Sequence, residues 1–206
     1  MATVNNNTPT LRFPEFKGNW TNKKLGEITS WASGGTPPKD NALFWDGDIP
    51  WISASSMRGI VYSDSELKIT NAGLKKGSKL AKKGSLLILV RGSMLFNKIP
   101  IGIVSKDVAF NQDVKSIVVD NHSTSEFILN WFTAFEPMIL NMVTGTGIGA
   151  GKLDLPDLKA LEIQIPTLPE QQKIATFLTT VDEKLKALKQ KKSLLEQYKK
   201  GVMQKI

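Results

Sequence analysis

The chain of 206 residues contains no cysteine and only one histidine, His122. The first absence removes disulfides, thiolate zinc sites and thiol nucleophiles, and the second removes any metal site that needs two imidazoles. A reducing cytoplasmic setting fits a chain of this kind. Long apolar runs are also missing, so no segment is expected to span a membrane. Residues 1–10 are polar and Asn-rich, with neither a charged start nor an apolar stretch, and read as a disordered tail rather than a signal peptide. What is present is ordinary for a globular protein: 41% apolar and 22% charged residues, enough to build a core.

The net charge of +8 is unevenly spread. From residue 167 onward nine Lys stand against four acids, a net of +5, which leaves +3 for residues 1–166. A solvated Lys-rich helix face and an anionic partner such as DNA both account for that excess.

Patterning divides the chain into an α+β arrangement: a mostly-β domain over residues 11–166 and one long helix over residues 167–206. Strand-like runs separated by turn chemistry cover Ile49 to Ser53, Ile60 to Tyr62, Leu86 to Arg91, Ile101 to Ser105, Lys115 to Val119 and Leu161 to Ile165. Ser123 and Glu126 have the spacing of a capping box. Phe127, Trp131, Phe135, Ile139 and Met142 then recur at helical spacing as core residues, with Pro137 interrupting the helix. Asp154 is placed to cap a short helix through Lys159. Thr167 and Glu170 form a second capping box, with Pro169 in the first turn, and a helix from Leu168 to Lys205 is about 55 Å long at 1.5 Å per residue. Along it Ile174, Val181, Leu188, Leu195 and Val202 recur every seven positions, and Leu178, Leu185 and Tyr198 fill the offset row. Such a seam is coiled-coil-forming and requires a partner helix, either a second copy or another chain.

Tests for catalytic chemistry fail. Thr144 to Lys152 is rich in alternating glycines, but Gly151-Lys152 is followed by Leu153, where a phosphate loop needs Ser or Thr. A helix precedes this stretch and none follows at once, which also excludes a dinucleotide fingerprint. Neither a cofactor pocket nor an Asn-Pro-Pro-aromatic run for base methylation is present. Asp48 with Glu66-Leu67-Lys68 imitates a magnesium nuclease, but Asp48 reads more simply as a turn residue and the other two as surface charges. His122 lies in a polar loop. No catalytic residue, metal or cofactor is assigned.

The informative residues sit on loops. Arg, Asn and Gln bond in bidentate fashion to purine edges, while Thr, Ser, Lys and backbone amides hold phosphates. The candidates for DNA contact are Gly35, Thr36 and Lys39 in the turn from Gly34, Arg91 and Ser93 flanking Gly92, Asn111 and Gln112, and Thr146 and Lys152 in the glycine-rich stretch. Structural roles compete: Gly34-Gly35 as a plain turn, Asn111 as a turn cap, Arg91 as the partner of a carboxylate. Lys75, Lys76, Lys79, Lys82 and Lys83 are the densest basic cluster of the domain, either a solvated surface or a DNA-backbone contact.

In order along the chain, Leu11-Arg-Phe-Pro14, Trp20 to Gly26, Ser33 to Pro37, Phe44 to Ile52, Lys83 to Leu87, Arg91-Gly-Ser93, Asn111-Gln-Asp113 and Ile165-Pro-Thr-Leu-Pro-Glu-Gln-Gln-Lys-Ile-Ala175 resemble the specificity subunits of type I restriction-modification systems. The likeness continues through Asp182-Glu-Lys184 to Lys200-Gly-Val-Met-Gln-Lys-Ile206. The resemblance implies a non-catalytic target-recognition domain that reads one half of a bipartite site on double-stranded DNA, mounted on a spacer helix. Its partners would be type I methyltransferase subunits and a translocating restriction (nuclease) subunit. Such subunits usually carry two recognition domains and two antiparallel helices. This chain has one of each and so resembles a half-subunit that pairs with a second copy. The alternatives are a coiled-coil interaction scaffold and a truncated subunit that competes with a full-length relative.

Overall fold

The computed structural model describes residues 9–147 and 149–204. The disordered tail expected at residues 1–10 falls, but for Pro9 and Thr10, outside the described residues, as does the expected helix end at Lys205.

The domain is built around a five-stranded sheet in the order β2 (Thr29–Ser33), β11 (Val114–Val119), β7 (Leu86–Leu89), β9 (Ile101–Val104) and β4 (Val61–Tyr62). The first four are antiparallel to their neighbours and β4 is parallel to β9. All four side chains of β7 are fully buried, which explains an apolar run without the alternation of a half-exposed strand. A four-stranded sheet, β5 (Lys68–Ile69), β3 (Trp45–Ile52), β10 (Val108–Phe110) and β6 (Lys79–Ala81), adds Ile52, Ala81, Val108 and Phe110 to the same core. Two small sheets complete the domain: β1 (Thr21–Lys24) with β14 (Glu162–Ile165), and β12 (Thr144–Gly145), β13 (Gly151–Lys152) and β8 (Arg91–Gly92).

Several expectations are corrected. The run Leu86 to Arg91 is split: Leu86–Leu89 stays in the main sheet and Arg91–Gly92 joins another. Asp48 lies within β3 rather than in a turn, and the register shift between Trp45 and Ile49, with Asp46 at φ +57°, marks an irregularity that absorbs the extra residues. Lys68, read as a surface charge, pairs with Asp64 at 3.5 Å.

Helix α1 (Asn71–Gly77) packs beside the four-stranded sheet, capped by Thr70, whose hydroxyl accepts from Gly73 N at 3.1 Å. The cap of α2 (Ser125–Ala134) is Thr124, not Ser123: Thr124 Oγ1 accepts from Phe127 N at 3.2 Å. Ser123 Oγ is buried without a hydrogen-bond partner among the described residues. As expected, the helical pattern breaks near Pro137, with α3 (Glu136–Leu140) following. Phe127, Trp131 and Ile139 are core, but Phe135 is 44% exposed. After α4 (Leu155–Ala160) and β14, Thr167 opens α5 (Leu168–Met203). Its first two turns are held by the domain, and every side chain from Thr176 to Gln204 is exposed. That exposed segment is about 42 Å long at 1.5 Å per residue. Among the described residues no helix is long and apolar enough to cross a membrane.

Candidate nucleic-acid interface

Strand direction brings the candidate loops together. Because β2, β11 and β7 are successively antiparallel, the end of β2 at Ser33, the start of β11 at Val114 and the end of β7 at Leu89 all lie at one end of the sheet, tied by the pairs Lys115↔Ser33 and Val114↔Leu89. The turn from Gly34, the Asn111–Asp113 loop and Arg91–Ser93 all issue from that end. The glycine-rich stretch closes on them as a hairpin, with Lys152 opposite Arg91 and Gly151 opposite Gly92.

The Gly34-Gly35 turn is made by close approach. A Cβ on Gly34 would sit 2.1 Å from the Phe110 carbonyl oxygen, and one on Gly35 would sit 2.0 Å from that of Gly77. Gly35 N donates to Phe110 O at 2.9 Å, and Gly35 O accepts from Trp51 Nε1 at 3.0 Å. Both glycines therefore set backbone spacing, which goes beyond a plain turn. Gly34→Ala is expected to destabilise the fold by about 1–3 kcal/mol, read as a lowered melting temperature, because a backbone oxygen cannot rotate away as a side chain would.

The remaining candidates divide by what their polar atoms already do. Thr36 Oγ1 donates to Gln112 Oε1 at 2.7 Å, so an exposed glutamine is held in one orientation by a hydroxyl from the neighbouring loop. Asn111, only 7% exposed, is the turn former: its Oδ1 accepts from Asp113 N and Val114 N, both at 3.1 Å. Thr146 closes the hairpin, its hydroxyl donating to Ala150 O at 2.9 Å. Lys152 is exposed and paired with Asp154 at 2.5 Å. Arg91, Ser93 and Lys39 are exposed, and among the described residues no ion pair involves Arg91 or Lys39.

The expected five-lysine cluster is not one patch. Lys75 and Lys76 end α1, next to Gly77, whose carbonyl lies against Gly35. Lys82 and Lys83 lie at the far end of the main sheet, where Asp107 accepts from Lys82 Nζ and Lys83 N, both at 2.8 Å, holding the Asp107 carboxyl below its ordinary pKa. Lys115 is not among the candidates, although it belongs to this end of the sheet. Its ammonium donates to Ser33 Oγ at 2.7 Å and Gln112 O at 2.6 Å, and burial pushes its pKa down against the pull of Asp113. A lysine next to a serine in a strand otherwise made of Val and Ile is the one available signal. The assembled surface thus presents a free guanidinium, an oriented amide and flanking ammonium groups, the donor set that suits base edges and phosphates. The opposite end of the sheet holds the helix root: Gln171 Nε2 donates to His122 O at 2.9 Å, and its Oε1 accepts from Thr124 N at 2.9 Å.

Residues 17–197 match the family described as the type I restriction modification DNA specificity domain. The chain belongs to this family. Among curated relatives of this specificity domain, the specificity subunit of the Escherichia coli type I restriction enzyme EcoR124I/EcoR124II is 33% identical over 84% of the chain and 43% of that subunit. The MjaIX specificity subunit of Methanocaldococcus jannaschii is 30% identical over 86% of the chain and 41% of that subunit. The specificity domain therefore spans less than half the length of these relatives. Its fold is that of the HsdS subunit from Thermoanaerobacter tengcongensis, with a TM-score of 0.64 at 18% identity over 88% of the chain and 41% of that protein. The type I S subunit from M. genitalium gives a TM-score of 0.58 at 20% identity over 88% of the chain and 43% of that protein.

Proposed function

We propose that this specificity domain binds double-stranded DNA as the sequence-reading, non-catalytic subunit of a type I restriction-modification enzyme. Each chain reads one half of a bipartite site, two chains pair through the α5 stripe, and methyltransferase and restriction subunits assemble on the pair. The observation that carries this reading is the convergence of four separate loops at one sheet end, with the exposed stripe of α5 rooted at the other. Arg91 and the Thr36-held Gln112 face base edges, Lys39, Lys75, Lys76 and Ser93 hold phosphates, and Asn111 and Thr146 shape the loops. Lys152 reaches a phosphate by exchanging Asp154 for it, a small loss because exposed ion pairs contribute about 0–1 kcal/mol.

Two measurements test this. Coexpression with a cognate methyltransferase subunit should methylate a gapped inverted repeat across a genome, and an asymmetric or ungapped motif would refute pairing of identical readers. In vitro, affinity for duplex DNA should fall with salt with a log–log slope of about −0.9 per phosphate contacted. An interaction scaffold, or a truncated competitor without its own reading role, would show no sequence-dependent binding at any salt concentration.

A further inference from the structure

The root of α5 is locked by a device remote from the reading loops. Glu170 lies in the first turn of α5 and is only 1% exposed. Its carboxylate accepts from Arg12 Nε at 2.6 Å, Arg12 Nη2 at 2.7 Å and Trp20 Nε1 at 3.2 Å. Arg12 also donates from Nη1 to Gly18 O at 2.6 Å, so one guanidinium ties the segment before β1 to itself and to the helix. One turn and two turns further along, the same segment grips α5 again. Lys173 pairs with Glu15 and lies 4.8 Å from the centre of the Phe13 ring, and Phe13 meets Phe177 edge-on at 5.8 Å. On the other side Gln171, fully buried, donates to Pro166 O at 2.9 Å as well as to the loop before α2.

A buried carboxylate with a bidentate partner is a poor source of net stability but a directional one, since both hydrogen bonds are lost if the helix swings. Direction matters here because α5 is a lever. A swing of about 10° at the root moves the far end of the roughly 42 Å exposed segment by about 7 Å, two base-pair steps of DNA.

We infer that the strap Thr10 to Phe16 is a gap-setting element in which Arg12 acts as a positioning residue: by clamping Glu170 it fixes the exit angle of α5 and so the spacing of half-sites that a pair of chains accepts. This rests on the paired-reader function proposed above. Arg12 lies at the helix root, away from the reading loops, so the effect of removing it is confined to the distance between two readers.

The test uses the full chain and a duplex selected from a randomised library, with the spacer of the recovered inverted repeat changed one base pair at a time. The unmodified protein should lose about tenfold in affinity when the spacer departs by two base pairs, whereas Arg12→Ala should lose no more than about threefold, because a loose root lets one geometry serve several spacers. Affinity for a single half-site should stay within about twofold. Phe13→Ala, which leaves no unpaired charge, should broaden the profile in the same sense if Arg12→Ala fails to fold. Since the chain has no cysteine, Lys106→Cys with Lys189→Cys carries two spin labels on exposed positions of the body and the helix. Their distance distribution, recorded in excess unlabelled chain, should widen on loss of Arg12. A spacer profile as sharp as that of the unmodified protein, or an unchanged distance distribution, overturns the inference alone. An equal loss on single half-sites overturns it by showing a role in the reader itself. No spacer preference in the unmodified protein refutes the paired-reader function and the inference with it.

Discussion

Replacing Leu188 and Leu195 together with glutamate will convert the proposed pair into single chains, raising the dimer dissociation constant at least about 1000-fold, a change of roughly 4 kcal/mol. Leu188 and Leu195 are 53% and 57% exposed in the isolated chain, so the substitution leaves the reading end intact. A leucine buried between two helices contributes about 1.5–3 kcal/mol, and a carboxylate in its place adds a desolvation cost that no partner offsets. Four such sites fall in each pair. Sedimentation equilibrium over a concentration series reads the result directly. The same variant should bind a gapped inverted repeat no better than one half-site, because linking two readers is what multiplies their affinities. A variant that remains dimeric would place the pairing surface elsewhere on the domain.

The second large effect is expected at Arg91. It stands on β8, held by Lys152 of β13 on one side and by the chain's return into the core at Val90, whose N–H donates to Asp113 O at 2.8 Å. A guanidinium on so short and fixed a strand is well placed for bidentate readout of guanine. Arg91→Ala should lower affinity for the cognate sequence by about 1–3 kcal/mol, roughly fivefold to 150-fold, and leave binding to random DNA nearly unchanged. Titrations of cognate and scrambled duplexes at one fixed salt concentration decide it. Equal losses on both would make Arg91 a phosphate contact, and the salt slope would then fall by about one.

The features legible in the sequence are those whose cause is local. The seven-residue stripe of α5 follows from helix geometry alone, and the buried run Leu86–Leu89 announces itself by composition. The exposure of Arg91 and Gln112 was legible for a similar reason, since polar side chains in short connections between apolar strands have few buried roles to fill. Features decided by distant partners were not. Thr167 and Glu170 have the spacing of a capping box, yet neither half of it forms: Thr167 makes no side-chain cap bond, and the Glu170 carboxylate is taken by Arg12, 158 residues away. Asn111 is legible both as a base reader and as a turn cap, and the bonds its Oδ1 accepts from Asp113 N and Val114 N decide for the turn. Strands of two residues such as β8, β12 and β13 have no periodicity to detect and exist only through pairing with one another. The division of the lysine cluster between two ends of a sheet likewise required the strand directions.

The arrangement of loops at one end of β2, β7 and β11 and the helix foundation at the other has an evolutionary consequence. Side chains at Arg91 or Gln112 can be exchanged without disturbing Gln171, and α5 can lengthen by whole turns without disturbing either loop. Under the proposed function, the letters recognised and the distance between them would thus diversify separately, through substitutions in the first case and insertions in the second.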